Sequence, residues 1–267
     1  MKAYRAFFRI RFTAGLQYRA AAVAGIMTQF AWGFLSILLF SAFYKANPAA
    51  FPMEFSQLAS YIWLQQALLA IFMPWYLDNE IFALIQSGSL AYELVRPLDV
   101  YNFWFVKNLA LRLSRAVLRS FPILFVAALL PAPYGLTAPS GINAFLLFLG
   151  SAVLSFMLVV SFCMLVYIAT IYTMSPLGIR VAALAATELL TGSIIPLPFF
   201  PDKVLAIVRL TPFAAMQDLP FRIYSGHVAG SEVWPALALQ AFWLVLLFLL
   251  GRAWLAKGLR KVAIQGG

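Results

Sequence analysis

The chain has 267 residues, 64% of them hydrophobic and 10% charged, with a formal net charge of +10. A water-soluble core of this length cannot bury so much apolar surface, so lipid must solvate most of the chain. Its one cysteine, Cys163, excludes an internal disulfide framework, and its one histidine, His227, excludes a multi-histidine metal site.

In chain order, residues 2–18 come first. At 100° per residue, Lys2, Arg5 and Arg9 share one face, with Ala3, Phe7, Ile10 and Ala14 opposite. This predicts a helix over residues 1–19 lying in the membrane interface, with Arg11 off the pattern and in need of snorkelling or a protein partner. Ala20, Ala22 and Ala24 precede the first long apolar run instead of following it, the reverse of a signal-peptide cleavage site, so the N-terminus is expected to be retained. An Arg-rich transit peptide is the other reading of this start.

Six apolar segments follow, at residues 20–43, 58–77, 103–130, 144–172, 181–195 and 234–253. Each is read as a helix crossing a hydrocarbon layer of about 30 Å, since continuous helices satisfy the backbone internally. No alternation typical of a barrel is present. An N-terminus in the cytoplasm puts Lys2, Arg5, Arg9, Arg11, Arg19, Arg96, Lys107, Arg112, Arg115, Arg119, Arg180, Arg252, Lys257, Arg260 and Lys261 on or near that side. Lys45, Lys203, Arg209 and Arg222 are left outside, and the bias places both termini in the cytoplasm. The basic residues therefore face anionic headgroups, not nucleic acid.

Two further segments do not span. Residues 78–102 carry Asp78 and Glu80 at the start of a short pattern, Ile81, Leu84 and Ile85 at helical spacing, and Gly88 as a stop. A protruding amphipathic helix is expected there, with Arg96 and Pro97 forming an extended turn. Residues 196–233 are too apolar for an ordinary loop and too interrupted, at Pro196, Pro198, Pro201, Pro212 and Pro220, for a span. Short re-entrant or interfacial helices are the remaining solution.

The stretches GSLAYELVRPLD at 88–99, IPLPFFPDKV at 195–204, LTPFAAMQDLPFRIYSG at 210–226 and YRAAAVAGI at 18–26 resemble the permease subunits of bacterial ABC-2 type exporters, in the branch with stand-alone six-helix permeases. The resemblance implies a single permease domain over residues 1–267, all-α, in the bacterial inner membrane. It implies a second permease, identical or related, and two ABC ATPase subunits. It also implies a coupling helix between spans two and three, mapping onto Ile81, Leu84 and Ile85, with Gly88, Leu90, Leu94, Arg96 and Pro97 at its exit. An external lid would map onto Pro198, Phe199, Phe200, Pro201, Pro212, Phe213 and Pro220. A phosphate-cradling loop needs a Gly-Lys pair, and none occurs, so ATP and Mg are expected on partner chains, with no cofactor here.

Within the spans, Glu188 lies about 12 Å along a helix from Arg180. An ionisable residue at that depth serves a cation-attracting cavity, a proton site or a structural hydrogen bond. Gln29, Gln65, Gln66 and Thr191 join it as candidates for a translocation route, interhelical hydrogen bonding being the alternative use. Arg112, Arg115 and Arg119 share one helix face, suited to snorkelling and orientation or to contact with an ATPase, Glu93 or Asp99. His227 reads as solvated or locally hydrogen-bonded, Cys163 as a packing residue, and the tryptophans as an interfacial belt. The competing functions are a membrane-embedded lipid-modifying enzyme, poorly supported by one histidine and scattered acids, and an ion-driven carrier or channel.

Overall fold

The computed structural model describes residues 2–260, which leaves Lys261 outside the described residues. Among these, every regular element is helical: α1 (Lys2–Gly15), α2 (Arg19–Ala46), α3 (Phe55–Phe72), α4 (Asn79–Gln86), α5 (Leu90–Leu94), α6 (Val100–Leu129), α7 (Ile142–Thr173), α8 (Pro176–Leu190), α9 (Asp202–Arg209), α10 (Pro212–Met216), α11 (Asp218–Tyr224) and α12 (Val233–Leu259), with short turns of 3-10 helix between some of them. Among the described residues, three helices are long and apolar enough by themselves to cross a membrane, Arg19–Ala46, Ile142–Thr173 and Gly230–Leu259.

Helix boundaries follow local chemistry. α3 opens on a capping box in which the Glu54 amide donates to Gln57 Oε1 at 3.1 Å. It ends at Phe72, short of the apolar run that reaches residue 77, because Pro74 cannot continue the helical ladder. α4 and α6 are capped by carboxylates, Asp78 accepting from the Glu80 amide and Asp99 from the Asn102 amide, each at 2.8 Å. α7 ends on Met174 in the left-handed region (φ 54°), and α8 starts immediately with Pro176 in its first turn. α8 therefore occupies 176–190, where the apolar pattern ran over 181–195.

Two helix pairs form the body, α7 with α12 running parallel and α3 with α6 antiparallel. α7 and α12 run alongside each other, Ser151 donating to Gln240 Oε1 at 3.1 Å near one end and Tyr172 to the Trp254 carbonyl at 3.2 Å near the other. α3 and α6 are the second pair, Trp63 Nε1 donating to the Tyr134 carbonyl at 2.8 Å just past the end of α6. α2 packs against both of these, with Gly33 so close to Trp63 that a Cβ there would meet the indole at 2.8 Å. The start of α2, the end of α3, the starts of α6 and α8 and the ends of α7 and α12 gather at one end of the bundle, called here the basic end. α1 lies across α6 there, with Phe7 stacked on Phe103 at 4.1 Å and Tyr4 Oη accepting from the Asp99 amide at 3.0 Å.

The three arginines of α6 do share one face, and it turns inward. Arg112 is fully buried. Its Nη1 donates to the carbonyls of Met73 at 2.7 Å and Ile71 at 3.2 Å, and its Nη2 to the Tyr76 carbonyl at 3.3 Å and Cys163 Sγ at 3.1 Å. A guanidinium thus supplies the donors that the C-terminus of α3 lacks, where the helix dipole also favours a cation. Arg119 donates to Tyr76 Oη at 2.9 Å and to the Ala21 carbonyl at 3.2 Å, and Arg115 lies over the Tyr76 ring at 5.0 Å. Snorkelling does not describe Arg112, and Glu93 and Asp99 pair instead with Arg96 and Arg252, at 3.0 and 3.6 Å. The sequence defined the face of α6; the residue's depth follows from the neighbours it meets.

Arg112→Leu strands those carbonyls in a fully buried site and is expected to lower stability by about 3 kcal/mol or more. Arg115→Leu, which loses one ring contact, should cost no more than about 1 kcal/mol. Denaturant unfolding of the detergent-solubilised chain compares the two.

Candidate functional site

Two sites are built on this frame, a junction at the basic end and a cavity beside it. The junction is centred on the start of α4. Lys107 of α6, almost wholly buried, reaches Asp78 at 2.9 Å and Glu80 at 2.7 Å. Arg11 of α1 pairs with Glu80 at 3.2 Å, the protein partner its place on the helical wheel required. Tyr167 Oη of α7 accepts from the Asp78 amide at 2.6 Å and is flanked by Asn108 of α6. Arg180 of α8 donates to Asn79 Oδ1 at 3.2 Å and stacks over Phe82 at 5.1 Å. The Lys107 hydrogen bond holds the Glu80 carboxyl below its ordinary range. α4 is thereby fastened to α1, α6, α7 and α8 at once.

That fastening alters the expected outward face. Ile81 and Ile85 are buried in the main hydrophobic core, as is Leu90, so these three have no surface to offer a partner. The helical spacing was real, but its apolar stripe packs beneath the bundle because α4 lies against α7. Leu84 is half-buried and borders a groove with Phe7, Glu93 and Trp104. Gly88 ends α4 with φ +70°, a turn that favours glycine. Leu94, Arg96 and Pro97 are exposed. The largest exposed apolar groups of the segment are Tyr92 and Val95, at 73% and 81%. Sequence reasoning missed both, although they stand among the polar residues that follow Gly88.

The cavity, about 600 Å³, lies between α2, α3, α6, α8 and the turn after α8. It brings together Gln29, Gln65, Gln66 and Glu188. Trp32 and Phe40 of α2, Trp75 and Tyr76 of the loop after α3, and Arg119 of α6 complete much of the wall. Gly25 lets the Arg119 guanidinium lie against α2, where a Cβ would meet it at 2.5 Å. Gln65 Nε2 donates to the Ser193 carbonyl, closing the turn after α8 onto α3. Gln29 is buried at 4% exposure, and neither atom of its amide has a hydrogen-bond partner. Thr191 does not belong with these: it is buried and donates to the Thr187 carbonyl at 2.6 Å, closing the end of α8.

The segment after α8 divides in two. Phe199 and Phe200 are half-buried, Phe199 packing against Phe40 and Phe51 with centroids 5.1 Å apart, while Pro201 is exposed at the start of α9. Pro198 is buried, Pro212 begins α10 and Phe213 meets Phe162 edge-on at 5.7 Å. α11, Pro220 included, is buried throughout. Asp218 accepts from Tyr61 Oη at 3.1 Å and pairs with Arg222 at 3.4 Å, and Gln240 and Ser155 both donate to the Ala215 carbonyl, at 2.8 and 2.9 Å. α10 and α11 are thus wedged into the body, and Pro220 is part of the core instead of an outer cover. His227 follows them, half-buried; burial first, then the charges of Arg222 and Arg209, bring its pKa down to about 4.

A many-helix apolar body enclosing a polar-lined cavity, with a braced helical segment at one end, is the architecture of a multi-pass membrane protein of the transport class. The sequence matches the family described as ABC-2 family transporter protein over residues 25–266, and the chain belongs to that family. It is a permease of an ABC transport system, the membrane component and not the ATPase, a role that implies association with ABC ATPase subunits. α1 precedes the matched region. A comparison with curated proteins finds no match.

His227, just after α11, gives the protein a direct titration outside both sites. The unfolded chain takes up its proton around pH 6.5 and the folded chain only near 4, so the unfolded state binds more protons between those values. Its contribution to stability is complete above about 6.5 and is lost as the pH falls towards 4. Ring-labelled histidine gives a single NMR signal in this protein, which should titrate near pH 4; a midpoint near 6.5 would show a solvated ring.

Proposed function

We propose that the chain is the permease of an ATP-driven exporter that moves an amphipathic or lipophilic substrate outward through the bacterial inner membrane. In this reading α2, α3, α6, α7, α8 and α12 are its six spans, and α1 lies in the cytoplasmic interface. Both termini are cytoplasmic, as the distribution of Lys and Arg favours. α6, with 30 residues, reaches the required depth by itself, α3 and α8 reach it together with the turns that follow them, and α9 to α11 fill the outer end as short re-entrant pieces. A second permease and two ATPase subunits complete the assembly, and those partners hold ATP and Mg.

The observation that carries this reading is the bracing of α4 by Arg11, Lys107, Tyr167 and Arg180. A push on the segment 78–102 by a partner is delivered to α1, α6, α7 and α8 together. α8 carries Glu188 into the cavity wall, two turns beyond Arg180, so displacement at the basic end changes the cavity. Contact with the ATPase belongs to the exposed groups around the exit of the segment, Tyr92, Leu94, Val95 and Arg96, with Leu84 at the edge. Exposed apolar groups clustered beside a charge are typical of a partner surface.

Gentle purification in nanodiscs should recover an ATPase with the chain. Val95→Glu should reduce ATP turnover of the assembly roughly tenfold while the chain accumulates in the membrane as before. Unchanged turnover would remove Val95 from the contact, and recovery of the chain with no ATPase would count against the exporter reading as a whole.

A further inference from the structure

The cavity contains a carboxylate without an ion-pair partner among the described residues. Glu188 lines it, and among the described residues its carboxylate has neither an ion pair nor a side-chain hydrogen bond. The one cationic side chain in the same wall, Arg119, aims its Nη groups at Tyr76 Oη and the Ala21 carbonyl and forms no ion pair with Glu188. Glu188 is half-buried, and a partly desolvated carboxylate without a counter-ion gains from a cation placed beside it. The second unbalanced group is Gln29, nine-tenths buried and more, with both amide atoms free. Between and around the two, the wall offers Trp32 and Phe40 as aromatic surface.

We propose that this cavity binds an amphipathic organic cation, with Glu188 as counter-ion, Gln29 as the hydrogen-bond partner of a polar group, and the aromatic wall against its apolar body. The proposal rests on the permease reading and names the substrate class of the same site. A volume of about 600 Å³ suits a ligand of drug-like size. A metal ion does not suit the wall, which brings one carboxylate; no group of three acidic, cysteine or histidine side chains able to hold a metal occurs among the described residues. An anion would meet the unpaired Glu188 carboxylate, while the Arg119 Nη groups that could offset it already donate to Tyr76 Oη and the Ala21 carbonyl. A quaternary or protonated ammonium gains from both the carboxylate and the ring faces.

The test uses the full assembly in lipid nanodiscs and two ions matched in shape and opposite in charge, tetraphenylphosphonium and tetraphenylborate. Saturable binding of tetraphenylphosphonium, above that of empty nanodiscs and not displaced by tetraphenylborate, is the expected result. Glu188→Gln should weaken it roughly tenfold or more, with Glu188→Asp recovering most of the affinity. Gln29→Leu should weaken a cation that bears a hydrogen-bonding group more than it weakens tetraphenylphosphonium. Equal binding of the two ions by the unaltered protein, wild-type affinity in Glu188→Gln, or no saturable binding would each overturn the proposal. The ATPase content of the same preparation separates the two claims. ATPase present without cation binding overturns the substrate class and leaves the permease reading; cation binding without ATPase supports the cavity and counts against the exporter.

Discussion

The last carbonyl groups of α3 need donors in a medium that supplies none, and Arg112 brings them from α6. Its guanidinium closes the end of α3, fixes the path of residues 73–76 and touches Cys163 of α7 in the same stroke. Three helices and one loop share a single buried cation. Burial of a charge is tolerable here because nearly all of its donors are used, leaving Nε as the unpaired atom.

From that fixed loop the rest of the basic end follows. Residues 73–76 lead directly into Asp78, whose amide is held by Tyr167 and whose carboxylate is held by Lys107. α4 therefore begins at a defined place against α7, and Ile81 and Ile85 can only turn inward. Tyr76, positioned by the same clamp, accepts the hydrogen bond from Arg119 and so holds one Nη of that guanidinium in the cavity wall.

Much of the fold was legible in the sequence because the spans are long, apolar and bounded by strong signals. Residues 20–43 became Arg19–Ala46, and 144–172 became Ile142–Thr173. Boundaries slipped where a proline outweighed apolarity, at Pro74 and Pro176. The gathering of Gln29, Gln65, Gln66 and Glu188 was also legible, since polar groups at membrane depth converge on protein or water. Thr191 was not separable from them, because a hydroxyl that closes its own helix looks the same in sequence as one that faces a cavity. Periodicity identified the apolar stripe of α4 but not what covers it, and it identified the arginine face of α6 but not its depth. Both depend on which helices become neighbours, information that a single chain's pattern does not carry. The same limit hid Tyr92 and Val95, whose exposure follows from the burial of Leu90 and Glu93 beside them.

Cys163 is the protein's one thiol and lies at the centre of the Arg112 clamp, fully buried. The rate at which a membrane-permeant maleimide labels it in intact membranes therefore reads the clamp without any introduced probe. The expected result is a thiol that stays unreacted in the native chain and becomes reactive in Arg112→Ala. Rapid labelling of Cys163 in the unaltered protein, or equal protection with and without Arg112, would contradict a structure organised around that guanidinium.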